Sequence, residues 1–156
     1  MPIASEIEGK WLIASAPDLK RKKGIPISQG YLVVTPSEEV RLRRMGVRCF
    51  LTLKSGNGLI RKETEIPLSA KQFISLWPST SGKRVIKTRY SVPVGAFLAE
   101  VDVYSGANKG LKCVEVEFRS AAEYKCFVPP AWFGKNVTND PKFKNKNLAL
   151  NPLKPS

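Results

Sequence analysis

The sequence predicts a mainly β protein with a few short helices, folded as a closed eight-stranded antiparallel β-barrel. Apolar and polar residues alternate with a period of two from Ser5 to about Arg119, the pattern of strands with two different faces. Most of the seven connections between predicted strands are short, and short loops join antiparallel neighbours. Charged side chains recur on one face of most strands, and eight strands enclose the space of one small ligand.

Eight segments carry the alternating pattern, and they are residues 5–13, 28–34, 38–45, 47–55, 60–67, 83–90, 96–104 and 110–119. Residues 69–77 predict a short helix with Ser69 as its N-cap. A capping box at 120–123 predicts a second short helix, which should end before Pro129. We expect a single domain over residues 1–149 and a disordered tail over 150–156.

The composition limits the possible functions. The chain has 26 Lys and Arg against 13 Asp and Glu, a formal net charge of +13, which suggests a polyanionic partner. It has no histidine, which excludes a histidine base, a Ser-His triad and a histidine-ligated zinc or copper site. Any metal site must therefore consist of oxygen ligands, as magnesium, manganese and calcium prefer.

The cysteines and the apolar runs predict the cellular compartment of the protein. Three scattered cysteines predict reduced thiols in the cytoplasm rather than a disulfide framework. No apolar run approaches the 18 residues of a membrane span, and the first residues do not resemble a signal peptide. We expect a cytoplasmic protein without a membrane partner.

Acidic residues are paired at positions i and i+2. The four pairs are Glu6/Glu8, Glu63/Glu65, Glu100/Asp102 and Glu115/Glu117, and they hold eight of the 13 acids. Random placement gives about one such pair, so the pattern is significant. Basic residues form the same spacing in Arg41/Arg43 and Lys87/Arg89. In a strand, positions i and i+2 point to one face, so each of these strands has a charged face.

Two interpretations of the charged faces are open. An ordinary antiparallel sheet exposes one polar face to water. However, charges on a solvated face usually alternate in sign, whereas most of these strands place like charges side by side, where they repel. Metal ions between carboxylates, or phosphates between Lys and Arg, relieve such repulsion. A barrel with a charged lumen is therefore favoured.

A charge balance of the proposed lumen indicates a need for metal. Its eight paired acids face six bases, which are Lys10, Arg41, Arg43, Lys54, Lys87 and Arg89. Arg61 and Arg119 also occupy strand positions that should face the lumen, and they bring its charge close to neutral. A neutral lumen does not attract a polyanion, whereas bound divalent cations would make it positive.

The segment Glu6-Ile7-Glu8-Gly9-Lys10 resembles the Glu-x-Glu-x-Lys signature of the CYTH superfamily, the triphosphate tunnel metalloenzymes, and in particular their small bacterial inorganic triphosphatases. Further matching segments are Gln29-Gly30-Tyr31-Leu32, Val40-Arg41-Leu42-Arg43, Leu51-Thr52-Leu53-Lys54, Arg61-Lys62-Glu63-Thr64-Glu65-Ile66, Ile86-Lys87-Thr88-Arg89-Tyr90, Val114-Glu115-Val116-Glu117-Phe118 and residues 130–140. The resemblance covers residues 3 to about 149, and the ordered set is more specific than any single motif.

The resemblance implies a tunnel open at both ends in which metal-dependent hydrolysis of a linear triphosphate takes place, with Mg²⁺ or Mn²⁺ as cofactor. The implied phosphate-binding residues are Lys10, Arg41, Arg43, Lys54, Lys87 and Arg89. The implied ligands of a first metal are Glu6, Glu8, Glu115 and Glu117, with Asp102 assisting and Glu100 as a further candidate. Glu63 and Glu65 would hold a second metal or orient the attacking water. Tyr31 would position a terminal phosphate and Lys87 would also act in catalysis.

Three residues depart from the family pattern: Gly9, Asn136 and Phe143. None supplies a charge to a strand face, so the expected activity is unchanged. Gly9 should cost some strand stability. The run Lys20-Arg21-Lys22-Lys23 and the residues Lys142, Lys144 and Lys146 are interpreted as solvated.

Other functions remain open at this point. An adenylate cyclase or a thiamine triphosphatase could use the same fold, although no adenine or thiazolium site is recognisable. A nucleic-acid or polyphosphate binding module would explain the net charge but not four acid pairs facing one lumen, so a small triphosphate is the favoured partner. A homodimer is an open alternative to a monomer.

Overall fold

A computed structural model describes residues 3–56 and 60–153, with only the backbone for residues 3–6 and Ile60. Nine strands form one antiparallel sheet. They are β1 (Ile3–Ile13), β2 (Ile25–Val34), β3 (Glu38–Met45), β4 (Arg48–Ser55), β5 (Ile60–Leu68), β6 (Arg84–Val94), β7 (Phe97–Ser105), β8 (Lys112–Phe118) and β9 (Phe133–Asn136). The strand order is β5-β4-β3-β2-β6-β7-β8-β1-β9, with an additional pairing between β5 and β1.

Strand β1 has the most neighbours. One edge pairs with β8, where Lys10 lies opposite Glu115. Its other edge is shared: residues 3–7 pair with β5, and Trp11 and Ile13 pair with β9. Because β1 joins β5 as well as β8, each of the strands β1 to β8 pairs with two others in this group.

All eight predicted strands are present, with small differences at their ends. The largest difference is in β6, which was expected to end at residue 90 and continues to Val94. Pro93 lies within this extension, one residue from the strand end, opposite Leu98. Strand β9 was not predicted, because four residues that include a glycine carry too little alternation to be recognised.

Three short helices complete the structure: α1 (Ala70–Leu76), α2 (Ala121–Cys126) and α3 (Asn145–Leu150). The predicted N-cap of α1 is confirmed, since Ser69 and Gln72 form a full capping box. The capping box predicted for α2 is only half formed. Ser120 accepts from the amide of Glu123, but the Glu123 carboxylate accepts from the amide of Arg119 instead of that of Ser120. Helix α3 was not predicted.

Helices and aromatic residues cover the outer, apolar face of the sheet, as expected. Phe73 and Trp77 stack at 5.0 Å next to Leu42 and Cys49. On the far side, Phe127 packs against a cluster that contains Trp11 and Phe118. This arrangement leaves the charged face of the strands on the inside.

Gly9 has a packing reason that the sequence did not show. A Cβ atom at this position would lie 2.5 Å from Cη2 of Trp11 and 2.9 Å from Cε2 of Tyr124. Glycine therefore allows the Trp11 ring to cover β1, which compensates for the low strand propensity of this residue.

The predicted tail begins inside α3, which ends at Leu150, and the amide of Leu153 still donates to Asn108 Oδ1 at 3.0 Å. Residues 154–156 lie outside the described residues, so the disorder of the tail stays a prediction. All three cysteines are free thiols. None of the helices in the described part of the chain has the length and apolar composition of a membrane span.

Candidate active site

Six of the predicted site residues meet at one internal cavity of about 90 Å³. They come from five strands: Glu8 and Lys10 from β1, Tyr31 from β2, Arg41 from β3, Lys54 from β4 and Glu115 from β8. Side chains alternate between the two faces of each strand, and these lie on the face that the i, i+2 spacing of the charges predicted. The cavity is completed by Val137, Thr138 and the segment from Phe143 to Lys146, which follows β9.

The cavity carries more positive than negative charge. Three acids line it, Glu8, Glu39 and Glu115, against six bases, Lys10, Arg41, Lys54, Arg61, Lys144 and Lys146. The expected near-neutral lumen is a larger set of residues, of which this cavity contains only part. Lys144 and Lys146, which were interpreted as solvated, reach the cavity because α3 folds back over it. Arg119, which was expected inside, has a side chain that is 92% exposed.

Lys10 lines the cavity and is held there by several groups. Its Nζ donates to the carbonyl of Phe143 at 2.6 Å and lies 3.4 Å from Glu115 Oε1. Burial alone would lower the pKa of Lys10, but Glu115 and neighbouring acids outweigh it and raise this pKa above its ordinary value. Lys10 is therefore a permanent cation at the side of the cavity.

Arg41 has unused capacity for hydrogen bonding. Only 2% of this residue is exposed, and its Nε has no hydrogen-bond partner among the described residues. A buried donor without an acceptor is costly, so Arg41 is poised to bind an anion. Lys54, on the neighbouring strand, lies 3.7 Å from Glu63 Oε2.

Four other predicted residues form a separate buried network around Asp102. Lys87 contacts Asp102 at 2.7 Å, and Arg89 donates to both carboxylate oxygens at 2.7 and 2.8 Å. Arg89 also contacts Glu100 at 2.6 Å and Glu115 at 3.2 Å. Lys87, Arg89 and Asp102 do not line the cavity, and Glu115 connects the two groups.

The ionisation of this network follows from its burial and its charges. Burial lowers the pKa of Lys87 to about 8, although Asp102 opposes this shift. Burial would raise the pKa of Asp102, but Lys87 and Arg89 outweigh it and hold that pKa below its ordinary value. Asp102 is an anion with both oxygens occupied by cations, so a role as metal ligand would require it to exchange these partners.

Tyr31 and Arg43 are connected through Gln29, which the sequence analysis did not identify. Arg43 Nε donates to Gln29 Oε1 at 3.3 Å, and Gln29 Nε2 donates to the Tyr31 hydroxyl at 3.2 Å. Burial, together with Glu39, raises the pKa of Tyr31 to about 12. Burial, then the charges of Arg41 and Arg89, lowers the pKa of Arg43 to about 10.

The remaining predicted metal ligands are not assembled into one group. Glu8 lies opposite Glu117 across β1 and β8, but Glu117 is exposed. Glu65 accepts from Thr52 Oγ1 at 3.2 Å, and the side chain of Glu6 lies outside the described residues. Among the described side chains, no three acids, cysteines or histidines come together as a metal site.

Glu39 lines the cavity and was not identified by the sequence analysis either. Its carboxylate lies 3.3 Å from Arg61 and 3.9 Å from Lys146. The available signal was its spacing, since Glu39, Arg41 and Arg43 share one strand face, but only pairs of equal sign were considered. The departures Asn136 and Phe143 have structural contacts: Asn136 Nδ2 donates to Tyr124 at 3.1 Å, and Phe143 offers its carbonyl to Lys10.

A buried, cation-rich cavity between strands defines a protein that binds a small polyanion. No family model matches the chain. The chain is 50% identical over 149 residues to an inorganic triphosphatase of Nitrosomonas europaea, covering 94% of this chain and 97% of that protein. It is 32% identical over 154 residues to an inorganic triphosphatase of Acetivibrio thermocellus, covering 97% of each. The chain therefore belongs to the inorganic triphosphatase family.

Solved structures agree with this assignment. The crystal structure of an inorganic triphosphatase superposes with a TM-score of 0.70 at 47% identity, covering 93% of this chain and 97% of that one. A Hippeastrum protein with a dominant triphosphatase activity has a TM-score of 0.53 at 16% identity, covering 77% of this chain and 82% of that one. At 16% identity, this second similarity shows the fold alone.

Proposed function

We propose that this chain hydrolyses inorganic tripolyphosphate in the cavity described above, as an enzyme acting on phosphoric anhydride bonds. The observation that carries the proposal is the convergence of Glu8, Lys10, Tyr31, Arg41, Lys54 and Glu115, from five strands, on one cation-rich cavity. The names of the two relatives, both inorganic triphosphatases over nearly the full chain, support the same reaction.

The cavity residues meet the main requirements of phosphoryl transfer, which are positioning and neutralisation of charge. Arg41 has the free donor and the planar geometry for phosphate oxygens, while Lys10 and Lys54 add point charges. Tyr31 remains protonated at neutral pH and so offers a hydrogen-bond donor. Lys87 and Arg89, which the resemblance also assigns to phosphate, would orient Glu115 through the Asp102 network unless substrate displaces them.

We further propose Mg²⁺ or Mn²⁺ as the cofactor, held by Glu8, Glu115 and Glu117 together with Glu6, and secondarily by Glu63 and Glu65. Glu115 fits this role because its Oε1 is buried and accepts no hydrogen bond among the described residues, with Lys10 Nζ 3.4 Å away as its ion-pair partner. Carboxylate oxygens are the ligands these ions prefer. When bound, the ion neutralises phosphate charge and lowers the pKa of a bound water. Because the cavity is already positive, the need for metal rests on the carboxylates and not on the overall charge.

We infer that strands β1 to β8 close into the barrel that the alternation predicts, with the cavity inside a tunnel. The pairing of β1 with β5 supports this inference, since it gives every one of these strands two neighbours in the group. The similarity to the solved structure of an inorganic triphosphatase also supports it. We further propose that the chain belongs to the wider CYTH superfamily. Cytoplasmic location and the oligomeric state stay predictions.

The test is phosphate release from tripolyphosphate by the purified chain, with Mg²⁺ or Mn²⁺ and with excess chelator. We expect hydrolysis that vanishes with chelator and returns with either ion. Undiminished hydrolysis in chelator would refute the role of metal while leaving the activity itself established.

The same preparation distinguishes the alternatives. ATP as substrate, with analysis for cyclic AMP, tests for an adenylate cyclase. Thiamine triphosphate as substrate tests for a thiamine triphosphatase. A gel shift with RNA tests for a nucleic-acid binding module. Failure to release phosphate from tripolyphosphate, together with tight binding of RNA, would favour the binding module over the enzyme.

A further inference from the structure

Gln29 is a neutral amide placed between two ionisable residues of the site. It lies on β2, opposite Arg43 on β3 and Val85 on β6, and is fully buried. Its two polar atoms are both used, Oε1 by Arg43 and Nε2 by Tyr31, at 3.3 and 3.2 Å. The chain of contacts therefore runs from Arg43 through Gln29 to Tyr31, which lines the cavity.

The direction of these hydrogen bonds is fixed by chemistry. The Arg43 guanidinium has only donors, so the atom of Gln29 that faces it must be the amide oxygen. The amide nitrogen then faces Tyr31 and has only hydrogens to give, so the phenol oxygen must accept. The single hydroxyl proton of Tyr31 is consequently not used by Gln29 and is available on the cavity side.

We propose that Gln29 is a positioning residue which directs the hydroxyl proton of Tyr31 into the cavity, towards a phosphate oxygen of the bound triphosphate. The inference rests on the proposed function of the cavity. Arg43 sets the orientation of the amide, and the amide sets the orientation of the phenol. Tyr31 acts as a donor of a hydrogen bond and does not transfer its proton.

Two substitutions at this position separate positioning from simple packing. Gln29→Glu keeps the size and leaves Arg43 its acceptor, but the carboxylate now accepts the Tyr31 proton and turns it away from the cavity. Gln29→Met removes both hydrogen bonds and leaves Arg43 without its acceptor. A purely structural role predicts that Gln29→Met is the more harmful change, whereas the positioning role predicts that Gln29→Glu is.

The measurement is kcat and KM for tripolyphosphate at saturating Mg²⁺, with thermal melting of each variant. We expect Gln29→Glu to lower kcat roughly 10- to 100-fold, the effect of losing one hydrogen bond to a charged group. The KM should change less than about twofold if this contact matters mainly in the transition state. Gln29→Met should lower kcat less than Gln29→Glu, and it carries the test should Gln29→Glu not fold.

Tyr31→Phe provides the decisive control. In the Tyr31→Phe background no hydroxyl remains to be directed, so Gln29→Glu should lower kcat by less than about twofold further. If the two substitutions lowered kcat by independent factors that multiply in the double variant, the positioning role would be refuted. The proposed triphosphatase function would still stand. Wild-type kcat in the Gln29→Glu variant would overturn it as well. A wild-type chain without triphosphatase activity would refute the proposed function itself, and the positioning role with it.

Discussion

At the scale of single residues, the basic residues of the site differ in how far nearby acids already neutralise their charge. Lys87 and Arg89 are neutralised by Asp102, whereas Arg41 is buried with a donor left over. Residues of equal formal charge therefore have different capacities to bind an anion. The sequence alone gives them equal weight, because spacing does not show which acids each base contacts.

Arg41→Ala should lower triphosphatase activity by roughly 30- to 1,000-fold, the equivalent of about 2–4 kcal/mol, because a phosphate oxygen loses a charge-assisted partner. Lys22→Ala is the matched control, since Lys22 is an exposed cation outside the cavity. Measured kcat/KM for tripolyphosphate checks both. Equal losses in the two variants would point to a diffuse attraction by the whole surface.

Tyr31 should make the stability of the fold depend on pH in the alkaline range. Its pKa is raised to about 12 from an ordinary value of 10.0, so the folded state holds a proton that the unfolded state releases. Stability from this residue is present below pH 10 and is lost as the pH rises towards 12, by about 1 kcal/mol at pH 11. Denaturant unfolding at pH 9 and 11 should show this loss in the wild type and not in Tyr31→Phe.

At the scale of elements, α1 is held by one aromatic residue. Phe73 is 5% exposed and packs on Leu42 and Cys49, whereas its neighbour Ile74 is 65% exposed. The helix therefore has one face that stabilises the sheet and one that faces water. This division follows from the helical period.

Phe73→Ala should lower the free energy of unfolding by about 3–5 kcal/mol, because it removes a buried ring and leaves a cavity between helix and sheet. Ile74→Ala, one position along, should change it by less than about 0.5 kcal/mol. Chemical denaturation of both variants measures the difference. A similar cost for the two would show that α1 is not docked through Phe73.

The strands and helices also show how much of the fold could be predicted from the sequence. The eight long strands, α1 and α2 were predicted because period-two alternation, an N-cap serine and a capping-box sequence are local signals. Strand β9 and α3 are short, and they form because β1 offers an open edge beyond β5 and because Leu148 is buried near Val85. Gln29 and Glu39 were missed for a related reason, since their roles depend on neighbours from other strands. The charge pattern located the cavity, but not which members of each pair would face it.

At the scale of the whole molecule, positive charge is concentrated both in the cavity and on the surface, with a formal net charge of +13. Such a field attracts a polyanionic substrate before any contact is made. The run of residues 20–23 is exposed and adds to this field.

Raising the ionic strength from about 0.05 M to about 0.5 M should therefore raise the KM for tripolyphosphate several-fold, since the Debye length falls and surface charges are screened. The kcat should change far less, because Lys10 and Arg41 are buried from salt. The comparison requires constant free Mg²⁺. A KM that is independent of salt would show that the surface charge does not assist substrate capture.

Strand β1 gives the molecule a particular order of assembly. It precedes the other described strands in the chain, yet its partners β8 and β9 follow about a hundred residues later. Contacts between the two ends of a chain close large loops and are slow to form. During synthesis the chain can pair β2 with β3, and β3 with β4, early, while the edge of β1 that pairs with β8 stays open to wrong partners. Completion of the sheet, and with it of the cavity, therefore requires β8 and β9 to be made first.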